Sequence, residues 1–257
     1  MVLDRTVIAA SAAALLVMGA PSASHADAPV ETAVATAVSD SLLLGLAQHA
    51  QRFEDMKRRG AFTMSGRIEE VDGSGQASDT KEILLRSTPT PAPMDRITNV
   101  IRYLENGKDK TADAQKRATE RRLKRLKDPD LQAEAKKKDL RLPFLASEQS
   151  RYVFTIAERD DPQGRVRVAF APKVPAEDAL KGSAWVDEKD REILSTGFSF
   201  SKNPTFVDHV EITIVFGLPT QLGRAPSKVS FDGRGGFLFI HKHFRGQATL
   251  SDPLVAF

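Results

Sequence analysis

The side chains best suited to chemistry are the histidines, and their spacing indicates one potential metal site. His241 and His243 stand two residues apart in a predicted strand, so both rings would leave the same face of a sheet. Paired imidazoles suit a transition metal, and His209 could add a third nitrogen, although it lies two predicted strands away. Solvent-facing histidines on an outer strand face are the simpler interpretation. We therefore expect neither a bound metal nor a cofactor.

Catalytic motifs are absent from the sequence. It contains no G-x-S-x-G, H-E-x-x-H or phosphate-binding loop, the patterns that place a nucleophile, a zinc ion or a phosphate. The absence of cysteine excludes disulfides, thiolate metal sites and a cysteine nucleophile. The acidic pairs at 69–70 and 160–161 fall at strand ends or turns, and Gly233–Gly236 joins two predicted strands as a turn. We predict that the protein is not an enzyme.

The first 28 residues have the pattern of a secretory signal peptide. Thr6–Ala20 is an apolar run too short for a permanent membrane span, and Ala26-Asp27-Ala28 supplies a small-x-small cleavage site. We predict cleavage near Ala26 or Ala28, a periplasmic location, and one domain over residues 29–257. Without a cysteine after the cleavage site, the exported chain cannot be anchored by N-terminal acylation.

One amphipathic helix precedes a long β-rich region. Ser39 and Asp40 offer N-cap side chains, and Lys57–Arg59 with Gly60 predict the helix end, with Gly60 as a left-handed cap. Between them, apolar positions and one histidine recur at spacings of four, three, four and three: Leu42, Leu46, His49, Phe53 and Met56. We expect the ring of His49 to be buried and hydrogen-bonded; a pH-sensitive helix is the alternative.

From Ala61 onward the hydrophobic period changes from 3.6 to 2. Asn106-Gly107 and the segment 160–164 predict hairpin turns, and Thr88–Pro93, rich in proline, predicts a loop. About nine to eleven strands at hairpin spacing, after one helix, indicate an α+β fold with a large curved antiparallel sheet, an incomplete β-barrel.

A charged insertion interrupts the strands at residues 111–138. Residues 108–141 hold 13 basic and 7 acidic residues, a net charge of +6, whereas the whole chain carries +3. Pro129 divides the insertion into two helical pieces. With few large apolar residues, it is expected to be a solvated helical excursion. The alternative is a basic arm attracted to an anionic membrane surface or an acidic partner. Nucleic acid is disfavoured by the predicted export and by the lack of interleaved aromatic residues.

The sheet has more apolar surface than one helix of three to four turns can cover. Either the sheet packs on itself with a filled core, or it forms a half-barrel whose helix is a lid over an apolar cavity. In the second case, a ligand would contact these side chains: Leu42, Leu46, Phe53, Met56, Phe62, Met64, Ile101, Phe154, Phe198, Phe200, Ile214 and Phe216.

The C-terminal half resembles the LolA/LolB-like periplasmic carriers, the outer-membrane lipoprotein-sorting family. The resemblance rests on Gly182–Asp187, a strand ending in an acidic turn, the strands 192–200 and 207–216, the segments 222–229 and 235–239, and a last aromatic and basic strand. It implies an incomplete antiparallel barrel with a helical lid over an acyl-binding cavity. The insertion is not part of the family pattern, and the family's lid-locking arginine could be Arg67, Arg86 or Arg102.

Taken with the residues, the resemblance predicts a monomeric periplasmic carrier. Its partners would be lipids or acylated proteins, whose acyl chains it would carry towards the outer membrane. The alternative is an envelope sensor or protein-interaction module without lipid transfer.

Overall fold

The computed structural model describes residues 36–90, 95–132, 141–221, 223–237 and 240–255. The predicted signal peptide lies outside these residues. Within the described segments, no helix combines the length and the apolar character that crossing a bilayer requires.

The described chain contains twelve strands, three labelled α-helices, one 3-10 turn and the start of a further helix at residues 129–132. In chain order they are β1 (Thr36–Ala37), α1 (Asp40–Arg59), β2 (Gly60–Val71), β3 (Ala77–Thr90), β4 (Asp95–Glu105), β5 (Lys108–Asp109), α2 (Thr111–Lys127), α3 (Ala146–Gln149), β6 (Tyr152–Asp160), the 3-10 turn (Asp161–Gln163), β7 (Arg165–Pro172), β8 (Leu180–Asp187), β9 (Glu192–Phe200), β10 (Val207–Thr220), β11 (Gly223–Phe237) and β12 (Ile240–Val255).

All twelve described strands form one open antiparallel sheet. Their spatial order is β1-β6-β7-β8-β9-β10-β11-β12-β2-β3-β4-β5, so the two-residue strands β1 and β5 lie at opposite ends. Most neighbouring strands in the sheet are joined by hairpins. Strands β1 and β2 are an exception: only α1 lies between them in sequence, but they are far apart in the sheet. The prediction of an α+β fold with a large antiparallel sheet is confirmed.

Helix α1 connects two distant places in the sheet and therefore crosses its face. Seven strands lie between β1 and β2 in the spatial order, a span of about 38 Å at ordinary strand spacing. The 20 residues of α1 extend about 30 Å. We call the face that α1 crosses the inner face.

The ends of α1 follow the predicted signals with one correction. The Ser39 hydroxyl accepts a hydrogen bond from the N–H of Leu42, as an N-cap does. Gly60 ends the helix, but its backbone is extended (φ −81°, ψ 132°) and not left-handed. The prediction of a left-handed cap was wrong because Gly60 is already the first residue of β2, where it pairs with Val255.

Helix α2 packs on β4, on the same face of the sheet as Ile83 and Tyr103. The N–H of Val100 donates to Gln115 Oε1 at 2.6 Å, the Gln115 amide nitrogen donates to the Thr98 carbonyl at 3.4 Å, and the N–H of Tyr103 donates to the Thr111 hydroxyl at 2.9 Å. These contacts satisfy backbone groups that an uncovered sheet edge would present to solvent. Residues 111–127 of the expected solvated excursion thus form a helix packed on the sheet, and residues 133–138 lie outside the described part of the chain.

Charge pairs hold the far end of α2. Both Arg122 and Arg125 bind the carboxylate of Asp95, the first residue of β4, whose side chain is 4% exposed. The break predicted at Pro129 is confirmed. There a second helical segment begins, and the carboxylate of Asp128 accepts the N–H groups of Asp130 and Leu131 at its start.

Two local predictions failed, and strand pairing explains both. Of the predicted loop Thr88–Pro93, residues 88–90 belong to β3 and residues 91–93 lie outside the described part of the chain. Pairing with β2 stops at Ser87, so Pro89 lies where no N–H is needed on that side. Gly233–Gly236, assigned to a turn, lie inside β11 and pair with β12. The predicted Asn106-Gly107 turn is confirmed, with φ of 50° and 75°.

The substitution Gln115→Ala tests whether α2 covers the sheet edge. It removes the side chain that satisfies two backbone groups of β4, so we expect the free energy of unfolding to fall by about 1–2 kcal/mol. Urea denaturation measures this loss. Lys116→Ala, at an exposed position of the same helix, is the matched control and should change stability little. Equal effects of the two substitutions would contradict this role for Gln115.

Candidate functional site

The inner face is divided into a closed core and a more open region. Helix α1 contacts β9 and β11, and α2 contacts β4. Between the helices, Leu85 of β3 is fully buried beside Met64, but several other apolar side chains of β12, β2 and β3 are only partly buried. We call this set the open floor: Phe62, Met64, Ile68, Ile83, Phe244, Ala248 and Leu250.

Eight of the twelve predicted ligand-contacting residues are buried beneath or within α1. The ring of Phe216 meets those of His49 and Phe53 edge-on, at centroid distances of 5.2 and 5.5 Å. In this conformation the eight contact other core side chains and do not face open space: Leu42, Leu46, Phe53, Met56, Phe154, Phe198, Ile214 and Phe216.

The other four predicted residues lie elsewhere. Phe62 and Met64 belong to the open floor, and Phe200 is a partly buried neighbour of the core. Ile101 is 50% exposed at a β-bulge of β4, where Leu84 pairs with Arg102 and Leu85 with Val100.

Strand register explains why the floor forms a shallow depression. Met64, Gly66 and Ile68 alternate on one face of β2, and Gly66 lies between Ala248 of β12 and Ile83 of β3. Because Gly66 and Ala248 are both small and lie side by side, the inner surface of the sheet is lower here than at the rows on either side. A Cβ added to Gly66 would lie 3.3 Å from that of Ala248, so this row has little room for a larger residue at position 66.

Phe231 of β11 closes the floor on the side of the core. Its ring lies over Gly246, where an added Cβ would lie 2.4 Å from a ring atom. Phe231 also packs against the core cluster under α1. The apolar surface is therefore continuous from the closed core to the open floor.

Arg96 of β4 binds the C-terminal end of α1. Its Nη1 donates to the Lys57 carbonyl at 2.7 Å, its Nη2 to the Gly60 carbonyl at 2.6 Å, and its Nε to the Ser87 hydroxyl at 2.9 Å. The last carbonyls of a helix lack partners within the helix, so a guanidinium is well placed there. The guanidinium also lies 4.9 Å from the centroid of the Phe62 ring.

The three arginines considered from the sequence do not make this contact. Arg67 pairs with Glu69 and Glu82, and Arg86 donates to the Thr63 hydroxyl and the Asp252 carbonyl. Arg102 lies in the exposed part of β4. Arg96 was missed because only strand register and the path of α1 bring it to the helix end, and neither is readable from local sequence.

His49 fixes the middle of α1 to two strands. Its Nδ1 accepts the N–H of Ile193 at 2.6 Å, so Nε2 carries the proton and donates to the Arg224 carbonyl at 3.3 Å. Burial lowers the pKa of His49 below 6.5, although the Arg224 carbonyl and nearby Glu192 oppose this, while Arg52 and Arg224 add to it. The expectation of a buried, hydrogen-bonded ring is confirmed.

The remaining histidines do not form a metal site within the part of the chain that the structure describes, where no group of three potential ligands occurs. His243 instead meets the carboxylate of Asp232 at 2.9 Å, and His209 is exposed on β10.

The arrangement favours non-covalent binding of an apolar group. The open floor consists of hydrocarbon, aromatic and thioether side chains, which bind by removing apolar surface from water. It lies between two helices, and the contact between Arg96 and Phe62 connects one end of it to α1.

Comparisons with known proteins find similar structures but no similar sequences. No protein-family model matches the chain, and no curated protein matches it. The chain is similar to a LolA superfamily protein from Nitrosomonas europaea, with 10% identity, 86% of this chain and 95% of that chain covered, and a TM-score of 0.35. A DUF1329 family protein from Desulfovibrio piger matches with 9% identity, coverage of 84% and 94%, and a TM-score of 0.38.

A third similar structure is the MucA/MucB complex of Pseudomonas aeruginosa, with 12% identity, coverage of 84% and 99%, and a TM-score of 0.23. The first of the three carries the family name to which the sequence resemblance pointed. At these identities and scores, none of the three assigns a function to this chain.

The substitution Arg96→Gln tests the link between β4 and α1. Losing charged donors to two helix carbonyls should reduce the free energy of unfolding by about 2–3 kcal/mol. It should also speed hydrogen exchange in the last turn of α1. Arg86→Gln, on the neighbouring strand, is the control and should leave exchange in that turn unchanged. Similar exchange in both variants would show that Arg96 does not hold the helix.

Acidification tests the role of His49. The folded protein favours the neutral ring, so its stabilising contribution is present above pH 6.5. It is lost as the pH falls below that value, because the unfolded chain binds the proton more readily. Urea denaturation between pH 7.5 and 5.5 should show a smaller loss of stability for His49→Gln than for the wild type. The exposed-site variant His209→Gln should keep the wild-type slope. Equal slopes for all three proteins would contradict this assignment.

Proposed function

We propose that this chain is an exported carrier that binds the acyl chain of a lipid or lipoprotein on the open floor. The observation that supports this most is the set of partly buried apolar side chains between α1 and α2, on an inner face whose other half is fully packed. Phe62 and Met64, two of the residues predicted to contact a ligand, belong to this surface.

The driving force would be transfer of the acyl chain out of water. Each buried methylene contributes about 0.8 kcal/mol, so a chain that covers the floor gains several kcal/mol after the costs of ordering it. A more apolar acceptor would then take the chain without any covalent step.

Helix α1 would act as the lid in this proposal. Lifting it would break the contacts of Arg96 and His49 with neighbouring elements and uncover the core rings next to the floor. The eight predicted residues now buried would then contact the longest chains. The closed conformation would be the resting state.

The outer face of α2 is the proposed contact with an anionic membrane. Lys124 and Lys127 are exposed, and Leu123 next to Lys124 is 47% exposed. Basic side chains near an anionic bilayer are attracted to it. The location is proposed to be periplasmic, with removal of the signal peptide and transfer towards the outer membrane as the family resemblance implies.

The same basic surface supports the second candidate, a sensor or protein-interaction module without lipid transfer. Its exposed lysines would suit an acidic protein partner equally well. The two candidates differ in whether the open floor takes an acyl chain.

The substitution Ala248→Trp tests the open floor directly. An indole at this position should fill the depression beside Gly66 and weaken binding of a fluorescent fatty acid such as cis-parinaric acid by about tenfold or more. Thr249→Trp adds the same ring on the opposite, exposed face of β12 and should bind normally. If the wild type does not bind, or if both variants bind equally, the carrier proposal fails and the interaction module becomes the better account.

A further inference from the structure

A cation without a partner lies on the side of α2 that faces the sheet. Arg117 is three residues after Ala114 and adjacent to Ala118, and both alanines belong to a small cluster with Ile83, Val100 and Tyr103. The Arg117 side chain is partly buried, and its Nε is buried without a hydrogen-bond partner. Among the described residues, no hydrogen bond or ion pair satisfies it. A buried N–H without a hydrogen-bond partner is costly.

Tyr103 lies at the end of the row that forms the depression in the floor. Register places Tyr103 beside Ile83, Ile83 beside Gly66, and Gly66 beside Ala248. The backbone of Tyr103 is bonded to Thr111 and Lys110. Its hydroxyl, in contrast, makes no hydrogen bond to any residue in the described part of the chain.

The charges around this pair balance, with Asp79 and Glu105 opposite Lys81 and Arg117, but no carboxylate in the described part of the chain makes an ion pair with Arg117. Burial raises the pKa of Tyr103, and so do Glu105 and Asp79, whereas Arg117 lowers it; the four groups are therefore close together. Asp79 and Glu105 already share Lys81, at 3.3 and 3.9 Å. Arg117 is not part of that ion pair network.

We infer that Arg117 and Tyr103 bind the anionic head group of the ligand, so the ligand is an anionic amphiphile with a carboxylate or phosphate. This inference rests on the proposed function, because the acyl chain would run from the head group along the row towards Ala248. A guanidinium can make two parallel hydrogen bonds to such a group, and the phenol can donate a third.

The test compares two probes that differ only in charge: cis-parinaric acid and its methyl ester, measured at pH 8 by fluorescence titration. The wild type should bind the acid about tenfold more tightly than the ester, as expected for one charge-assisted contact. Arg117→Gln should bind both probes with the affinity that the wild type has for the ester. Arg117→Lys, which keeps the charge, should retain most of the preference.

Two further variants localise the effect. Lys116→Gln removes a cation from the exposed side of α2 and should keep the full preference. Tyr103→Phe should reduce it in part. Inorganic phosphate has charge but no acyl chain. At millimolar concentration it should not displace cis-parinaric acid, because the acyl chain supplies most of the affinity.

The outcomes separate this inference from the proposed function. If the wild type binds acid and ester equally, or if Lys116→Gln loses the preference as fully as Arg117→Gln, the head-group site is wrong while acyl binding stands. If phosphate alone displaces the acid, the site binds free anions and the inference fails. If neither probe binds the wild type, the proposed function fails, and the head-group inference fails with it.

Discussion

The rest of the structure depends on one mismatch, between the width of the sheet and the amount of helix available to cover it. The twelve described strands present one continuous apolar face, and α1 is long enough to pack against only part of it. A second helix, α2, sits at the far edge and secures β4. Between the two helices the cover is incomplete: Leu85 is fully buried, but several apolar neighbours stay partly exposed to water.

The sequence predicted the elements well and the contacts between them poorly. Periodicity located α1 and most strands, because alternation and 3.6-residue spacing are local properties. It did not locate Arg96, which reaches the end of α1 only because β3 and β4 pair in one register. It also missed the role of Gln115, since a polar residue in a charged helix gives no sign that it will bond to a strand edge.

The predicted ligand-contacting residues show the same limit. Apart from Ile101, which lies at a bulge, the alternation placed the strand residues on the inner face, but it could not say which would lie under α1. Phe216 and Phe198 are packed with the helix, whereas Phe62 and Met64 are not. The difference follows from strand order, in which β2 enters the sheet beside β12. Long-range pairing of this kind leaves no local trace.

The most direct test of the account is the accessibility of single cysteines, because the natural chain has none. Met64→Cys places a thiol on the open floor, Ile214→Cys in the closed core, and Thr249→Cys on the opposite face. The account predicts that the thiol at position 64 reacts readily with a water-soluble reagent and is protected by saturating oleate. The thiol at position 249 should react equally with and without oleate, and the one at 214 should react slowly throughout. Unchanged reactivity at position 64 in the presence of oleate would contradict the account.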